Sequence, residues 1–148
     1  MKREKFQEIC MKNYEFNNDI RQYCKFAFRT FDKDHSRTIS FTEFILAISA
    51  LSSGDLSENL RLAFKMCDHD DNGYISKSEM KRIIKALYKL RGVNRHFWFH
   101  GEDKPRKRVN EIFEKHDTSM DRKLCEKEFL YACEHDIMIR TLLHSCSV

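Results

Sequence analysis

A pattern of twelve residues occurs three times in the chain and constrains its fold more than any other feature. The copies begin at Asp32, Asp68 and Asp117, and each has an aliphatic residue at position 8 and a glutamate at position 12. A phenylalanine stands four residues before each first aspartate, and an apolar residue follows each glutamate. Further apolar residues continue at helical spacing on both sides. The repeat therefore predicts three units of helix, twelve-residue loop and helix.

The composition favours helices. With only 4 glycines and 1 proline, the chain has too little turn chemistry for an all-β sandwich or barrel. Its 41% hydrophobic and 34% charged residues are typical of a folded, water-soluble protein rather than a disordered tail. No run of apolar residues approaches the length of a membrane span, and none resembles a signal peptide. We predict an all-α fold with short strands between paired loops.

The spacing of oxygen atoms within the repeat is that of an EF-hand calcium loop. Oxygens at positions 1, 3 and 5, a main-chain carbonyl at 7, a small polar group at 9 and a bidentate glutamate at 12 supply about seven ligands to a hard cation. The middle copy meets every requirement and has Gly73 at the sharp turn of position 6. Its predicted Ca²⁺ ligands are Asp68, Asp70, Asn72, the Tyr74 carbonyl, Ser76 and Glu79.

The first copy keeps the ligand oxygens but has Arg37 at position 6. The turn requires a left-handed backbone there, which costs a residue with a Cβ roughly 1 to 2 kcal/mol, about tenfold in affinity. Three carboxylates remain, so we expect this loop to bind Ca²⁺, with Mg²⁺ as the alternative ion. The predicted ligands are Asp32, Asp34, Ser36, the Thr38 carbonyl, Ser40 and Glu43.

The third copy is the weakest of the three. It has a serine at position 3, Arg122 at position 6 and Cys125 at position 9. Two poor ligands and a strained turn act together, so we expect a structural loop that does not hold calcium. If it did bind, the ligands would be Asp117, Ser119, Asp121, the Lys123 carbonyl and Glu128.

Three runs of sequence resemble the neuronal calcium sensor family. They are FRTFDKDHSRTISFTEFILAIS from Phe28, LRLAFKMCDHDDNGYISKSEMKRIIKALYKL from Leu60, and RVNEIFEKHD from Arg108. The resemblance extends from about Lys5 to Leu143, and NGYISKSEM is its most specific phrase. It implies four EF-hands, of which the first loop and a myristoylated start would lie before Met1. The chain is therefore expected to lack both of those segments.

The resemblance also implies two lobes. Residues 1–56 would hold the exiting helix of the family's first hand and the hand around the 32–43 loop, and residues 57–148 would hold the other two hands. EF-hand loops pair through short strands at position 8, which predicts Ile75 opposite Leu124. Ile39 has no such partner, so we expect an exposed strand edge around Thr38 to Ser40. There are two alternatives for covering this edge. Either the chain forms a homodimer, or it is an isoform or fragment whose target protein covers the edge.

In sensor-type hands, calcium opens an apolar groove that receives a helix of a target protein. The resemblance implies such a groove in the N-terminal half and a function in regulating a target enzyme or channel. For most of the candidate groove residues, an ordinary core is the simpler interpretation. Two alternative functions also stay open: a calcium buffer and a calcium-independent adaptor. The candidate groove residues are Ile9, Tyr14, Phe16, Phe26, Phe31, Phe44, Ile48 and Leu51.

The chain is basic, with 27 Lys and Arg against 23 Asp and Glu. Two basic clusters indicate peripheral contact with an anionic membrane, at about 1 kcal/mol for each basic residue near the surface, although solvated helix faces are the simpler interpretation. Six cysteines without a CxxC pair indicate reduced thiols and a cytoplasmic protein. The basic clusters are Lys81, Arg82, Lys85 and Lys89, and Lys104, Arg106, Lys107 and Arg108.

Other functional classes find no support in the sequence. No nucleophile elbow or phosphate-binding glycine loop is present, so we do not expect an enzyme. The basic residues accompany no DNA- or RNA-binding motif, which argues against a nucleic-acid partner. His96 and His100 have helical i, i+4 spacing but lack a third ligand in the sequence, so a zinc site is not favoured.

Overall fold

The structure is a computed structural model that describes residues 1–13, 21–52, 55–90, 104–137 and 139. These ranges contain seven helices and two short strands, and the prediction of an all-α EF-hand fold is confirmed. The helices are α1 (Arg3–Asn13), α2 (Arg21–Phe31), α3 (Phe41–Ser52), α4 (Leu56–Cys67), α5 (Lys77–Leu90), α6 (Lys104–His116) and α7 (Glu126–His135). The strands are β1 (Tyr74–Ser76) and β2 (Lys123–Cys125).

Each twelve-residue repeat links two helices. The 32–43 loop joins α2 to α3, the 68–79 loop joins α4 to α5, and the 117–128 loop joins α6 to α7. Strands β1 and β2 pair antiparallel with Ile75 opposite Leu124, as the repeat predicts. Both side chains are fully buried, so this short ladder holds the second and third loops side by side.

Local signals set two of the helix starts. The side chain of Asp55 accepts a hydrogen bond of 2.9 Å from the main-chain nitrogen of Ser57, which caps the first turn of α4. Pro105 lies in the first turn of α6, where its missing N–H leaves no hydrogen bond unmade.

The buried side chains form two clusters. The larger unites α4 to α7 with both strands, and the smaller lies between α1, α2 and the 32–43 loop. Tyr23 and Met66 pack against both clusters, and Phe26 of α2 belongs to the larger one. Helix α2 is therefore shared between the first hand and the other two, and the division into residues 1–56 and 57–148 stays a proposal.

The expectation of an exposed strand edge at Thr38 to Ser40 is wrong. Ile39 donates its N–H to the carbonyl oxygen of Met1 at 2.8 Å, and the main-chain nitrogen of Met1 donates to the carbonyl of Ile39. Lys2 forms an antiparallel bridge with Thr38. Ile39 is only 1% exposed and packs in the smaller cluster with Phe6. Residues 1 and 2 thus occupy the place that a partner loop would take.

The candidate groove residues have different environments. Phe26 is a core residue at 5% exposure, because its side of α2 faces the C-terminal helices. Phe31 and Phe44 are half-buried against the smaller cluster, and Ile9 is exposed. The remaining residues of this prediction, together with the candidate zinc pair, lie outside the described residues or have side chains that do. They are Tyr14, Phe16, Ile48, Leu51, His96 and His100.

Five cysteines lie in the described ranges, and all five carry free thiols. Three are buried and two are half-buried. Among the helices that can be described, none combines the length and apolar composition needed to cross a bilayer. The five are Cys10, Cys24, Cys67, Cys125 and Cys133.

Candidate metal centres

The 68–79 loop brings three carboxylates together. One oxygen each from Asp68, Asp70 and Glu79 lies within 4.8 Å of the other two. Asp68 follows the last residue of α4 and Glu79 lies in the first turn of α5, so the two helices deliver the first and last acids. Asp68 and Glu79 are buried, whereas Asp70 is exposed. The three carboxylates therefore meet at one point, with the two buried acids on the protein side and the exposed acid on the solvent side.

Glu79 is held by donors from both ends of its loop. Its Oε1 accepts hydrogen bonds from the main-chain nitrogens of His69 at 2.8 Å and Asp70 at 3.3 Å. Its Oε2 accepts from the main-chain nitrogen of Ser76 at 2.8 Å and from the Ser76 hydroxyl at 2.6 Å. The position-12 carboxylate thus closes the loop between positions 2 and 9.

Asp68 is positioned in the same way. Its Oδ1 accepts from the main-chain nitrogen of Asn72 at 3.1 Å, and its Oδ2 from Gly73 at 2.8 Å. The main-chain nitrogen of Tyr74 donates to the side-chain oxygen of Asn72 at 2.9 Å. These bonds fold positions 5 to 7 around the position-1 acid, as an ion cage requires.

The 32–43 loop repeats this arrangement. One oxygen each from Asp32, Asp34 and Glu43 lies within 4.8 Å of the others. Glu43 accepts main-chain hydrogen bonds from Lys33 at 2.8 Å and Asp34 at 3.3 Å, and both the nitrogen and the hydroxyl of Ser40 donate to it at 2.8 Å. Arg37 at position 6, where the middle loop has Gly73, is therefore compatible with the same three-acid cluster.

In this first loop, the ligands at positions 5 and 7 also come together. The hydroxyl of Ser36 donates to the carbonyl oxygen of Thr38 at 3.0 Å and lies 3.5 Å from Oδ1 of Asp32. Together with the bonds from Ser36 to Asp34, from Asp34 to Glu43 and from Ser40 to Glu43, these contacts link all six predicted ligand residues in one network.

The backbone at position 6 is left-handed in all three loops. Its φ is +82° at Gly73 and +64° at both Arg37 and Arg122. The expected strain at the two arginines is therefore present. Position 4 is left-handed as well, although the EF-hand pattern of the sequence predicts this conformation only at position 6. An aspartate or histidine tolerates this conformation better than most side chains, but a methionine gives no such signal. The position-4 residues are His35, Asp71 and Met120.

The third loop, which is described throughout, does not bring three acids together. The Ser119 hydroxyl, at position 3, donates to Oδ1 of Asp117 at 3.2 Å. Glu128 accepts from the Thr118 hydroxyl at 2.8 Å and from the main-chain nitrogens of Ser119 and Cys125 at 3.0 Å. The loop closes through the same kind of hydrogen bonds as the other two, so the lack of a third nearby acid is what sets it apart. Its assignment as a structural loop stays a prediction.

The remaining candidate ligands of the third loop lie on its outer turn. Asp121 is exposed, and its Oδ1 accepts from the main-chain nitrogen of Lys123 at 2.9 Å. Lys123 begins β2, so its carbonyl stands at the start of the ladder. The Asp121 carboxylate does not form a three-acid group with Asp117 and Glu128.

Hydrogen bonding and burial act in opposite directions on the acids. Burial raises the pKa of Asp68, and hydrogen bonds from Gly73 and Asn72 offset this in part. Burial also raises the pKa of Glu79, but hydrogen bonds from Ser76 and from the start of its loop outweigh it and hold the pKa below its usual value. Hydrogen bonds from Ser40 lower the pKa of Glu43. Because a bound cation favours the ionised carboxylates, acid should weaken ion binding.

Glu128 should make stability depend on pH in the calcium-free chain. Burial raises its pKa, but the hydrogen bonds from Cys125, Thr118 and Ser119 outweigh burial and bring the pKa to about 2 from an ordinary 4.5. The folded pKa is depressed, so this stabilisation is complete above pH 4.5 and disappears as the pH falls toward 2. Urea denaturation from pH 6 to pH 2 in chelator should show a smaller loss of stability for Glu128→Gln than for the wild type. An identical loss in both would contradict the prediction.

The donor set defines the ion that fits. Both acid groups offer carboxylate oxygens with hydroxyl, amide and carbonyl oxygens from the same loops, and neither includes a sulfur or imidazole donor. Hard oxygen donors of this number suit calcium, and a smaller or more rigid set would suit magnesium. The residues of the 68–79 and 32–43 loops therefore fit a calcium ion.

Comparisons with known proteins agree with this geometry. Residues 57–134, more than half of the chain, match the family model of an EF-hand domain pair, and residues 23–51 match that of an EF hand domain. The chain is similar to guanylyl cyclase-activating protein 2 of Lithobates pipiens, with 32% identity over 133 residues. The match covers 86% of this chain and 66% of that protein, so the chain spans just under two thirds of its relative's length. With two acid-lined loops between paired helices and these matches, the chain belongs to the EF-hand family, and its acid clusters indicate calcium binding.

Proposed function

We propose that this protein is a calcium sensor of the neuronal calcium sensor type, which binds calcium at the 32–43 and 68–79 loops and regulates a target protein. The observation that carries the proposal is the convergence of three carboxylates in each of these loops. The relative in Lithobates pipiens is by its name an activator of guanylyl cyclase. By that likeness, the proposed target is an enzyme or channel whose activity follows calcium.

The link from ion to helix is the glutamate at position 12. Glu43 lies in the first turn of α3, and its carboxylate is bonded to main-chain donors at positions 2, 3 and 9 of the loop. A shift of this carboxylate toward an ion would carry the start of α3 with it. Glu79 has the same relation to α5. A bound ion would neutralise the negative charge within each loop. Helices α3 and α5 would carry the resulting shift of the loop to the rest of the chain.

Exposed apolar side chains on α3 and at the start of α4 support a surface for a target helix. Phe41 is 79% exposed, and Ile45 lies one turn further on the same helix face. Leu46 and Leu56 extend the exposed apolar area. Several exposed apolar side chains on neighbouring helices are typical of a binding site for an amphipathic helix. We propose this α3 surface, formed by these four residues, as part of the groove.

Calcium should increase the exposed apolar surface of the wild-type chain. A fluorescent dye that binds apolar surface should give a severalfold stronger signal with calcium than with chelator, and Glu43→Gln should lose most of the increase. Phe41→Ser should weaken the signal without changing the number of bound ions. The matched control is Tyr131→Ser, an exposed aromatic residue on α7 outside the α3 surface.

Two other results would point to the alternative functions. Calcium binding with an unchanged dye signal would contradict a sensor and favour a buffer. An absence of calcium binding at physiological magnesium would favour a calcium-independent adaptor.

Several finer features of the proposed function stay predictions. Contact with anionic membranes is supported by exposed basic residues such as Arg82 and Lys85 on α5. The strand edge at Thr38 and Ile39 no longer supports dimerisation, because Met1 and Lys2 already pair with it. A cytoplasmic location and Mg²⁺ at the 32–43 loop are likewise proposed.

A further inference from the structure

We infer that Arg29 couples the two proposed ion loops, so that calcium in the 32–43 loop strengthens calcium binding in the 68–79 loop and the reverse. This inference rests on the proposed function, because it needs an ion in each loop. Arg29 lies in the last turn of α2, three residues before the first acid of the first loop. Its guanidinium reaches away from that loop and binds main-chain atoms of the second hand.

The guanidinium of Arg29 forms a four-point contact with the junction between α4 and the 68–79 loop. Its Nη2 donates to the carbonyl oxygens of Lys65 at 3.0 Å, Met66 at 3.3 Å and Asp68 at 2.9 Å. Its Nη1 donates to the carbonyl oxygen of His69. One side chain therefore contacts the last turn of the entering helix and the first two residues of the loop.

These carbonyls need such a partner. The last four carbonyl groups of a helix accept no hydrogen bond from within the helix, and they form the negative end of the helix dipole. The planar guanidinium presents several N–H groups in fixed directions, so it can satisfy several carbonyls at once where a lysine ammonium is only a point charge. Asp68, whose carbonyl Arg29 binds, is also the position-1 acid of the loop. The contact therefore fixes the main chain of a proposed ligand.

The other end of the coupling is the first loop. Asp32 follows α2 directly, and its N–H donates to the carbonyl of Phe28 at 2.9 Å. Its carboxylate accepts from the main-chain nitrogen of Arg37 at 3.0 Å. An ion held by Asp32 would order the last turn of α2, and that turn carries Arg29. Because Arg29 binds the Asp68 carbonyl, ordering of this turn would lower the entropic cost of fixing Asp68 around an ion. Thermodynamic linkage makes the effect reciprocal.

The two entering helices, α2 and α4, also pack against each other beside Arg29. The ring of Phe26 meets the ring of His69 edge to face, with centroids 6.4 Å apart. Tyr23 of α2 and Met66 of α4 each pack against both buried clusters. The junction around Arg29 is therefore a packed contact between the two hands and not an isolated surface hydrogen bond.

The test is calorimetric calcium titration of the full chain with one loop blocked. The coupling factor is the affinity of the weaker 32–43 loop, which fills second, in the wild type divided by its affinity in Glu79→Gln, and we expect a factor of about 5 or more. In Arg29→Gln, the same Glu79→Gln substitution should change that affinity by less than about twofold. Arg29→Lys keeps the charge but not the planar fork, so it should also lose most of the coupling.

The matched control is Lys25→Gln. Lys25 is exposed one turn earlier on α2, and its replacement removes the same charge from the same helix. It should keep the full coupling factor. Circular dichroism of each variant checks folding, and if Arg29→Gln does not fold, Arg29→Lys carries the comparison.

The outcomes separate the inference from the proposed function. A wild type that binds no calcium would overturn both. A wild type that binds two ions with a coupling factor near one would overturn the coupling while leaving both calcium sites in place. Equal coupling in the wild type, Arg29→Gln and Arg29→Lys would remove Arg29 from that role.

Discussion

Replacing Glu79 by glutamine should leave the protein with one bound calcium ion instead of two. Both oxygens of this carboxylate face the loop, where main-chain donors of His69, Asp70 and Ser76 hold them in place. Glutamine keeps the size of the side chain but removes its charge and one of two equivalent acceptor oxygens. Outer-shell changes at metal sites already cost about 10- to 100-fold in affinity, so the loss of a direct ligand should exceed about 100-fold at this loop. Calorimetric titration at fixed magnesium would measure it.

The third loop offers a matched control for this experiment. Glu128 occupies the same position 12 and closes its loop through the same kind of hydrogen bonds. Because Asp117 and Asp121 do not form a three-acid group with it, Glu128→Gln should leave the number of bound ions unchanged. A calcium count that falls with Glu128→Gln and not with Glu79→Gln would reverse the assignment of the sites.

Replacing Phe129 by alanine should destabilise the calcium-free protein by about 3 to 5 kcal/mol. The side chain is 1% exposed, and its ring meets that of Phe64 edge to face, with centroids 5.6 Å apart. Truncation removes a large buried apolar group and leaves a cavity between α4 and α7, and both effects reduce stability. Urea denaturation in chelator, followed by circular dichroism, would give the free energy of unfolding.

The matched control is the same substitution at an exposed phenylalanine. Phe41 is 79% exposed at the start of α3, so Phe41→Ala should change the free energy of unfolding by no more than about 0.5 kcal/mol. Equal losses in the two variants, or a loss below about 1 kcal/mol for Phe129→Ala, would contradict the placement of the core.

The features that the sequence predicted well are those that repeat at a fixed spacing. Three copies of one loop reveal the order of helices, the place of each acid and the opposition of Ile75 and Leu124. The left-handed backbone at Arg37 follows from the same alignment, because glycine occupies that position in the middle copy. Each of these signals is local, so no tertiary information is needed to find it.

The features that the sequence missed depend on the approach of distant segments. The pairing of Met1 and Lys2 with the strand edge involves two residues, which is too short for any periodic pattern. Arg29 binds main-chain carbonyls 36 to 40 residues away, and carbonyls leave no trace in residue identities. Phe26 was a candidate for the groove and for an ordinary core, and it lies in the core. Residue type alone could not decide between the two, because it does not tell which face of α2 meets other helices.

The most direct test of the central claim is a crystal structure of the full chain grown with saturating calcium. The 68–79 loop should hold an ion ligated by oxygens of Asp68, Asp70 and Glu79 and of their loop neighbours, at about 2.3 to 2.6 Å. The 32–43 loop should hold a second ion in the same way. A 68–79 loop without an ion under these conditions would contradict the claim that this protein is a calcium-binding EF-hand sensor.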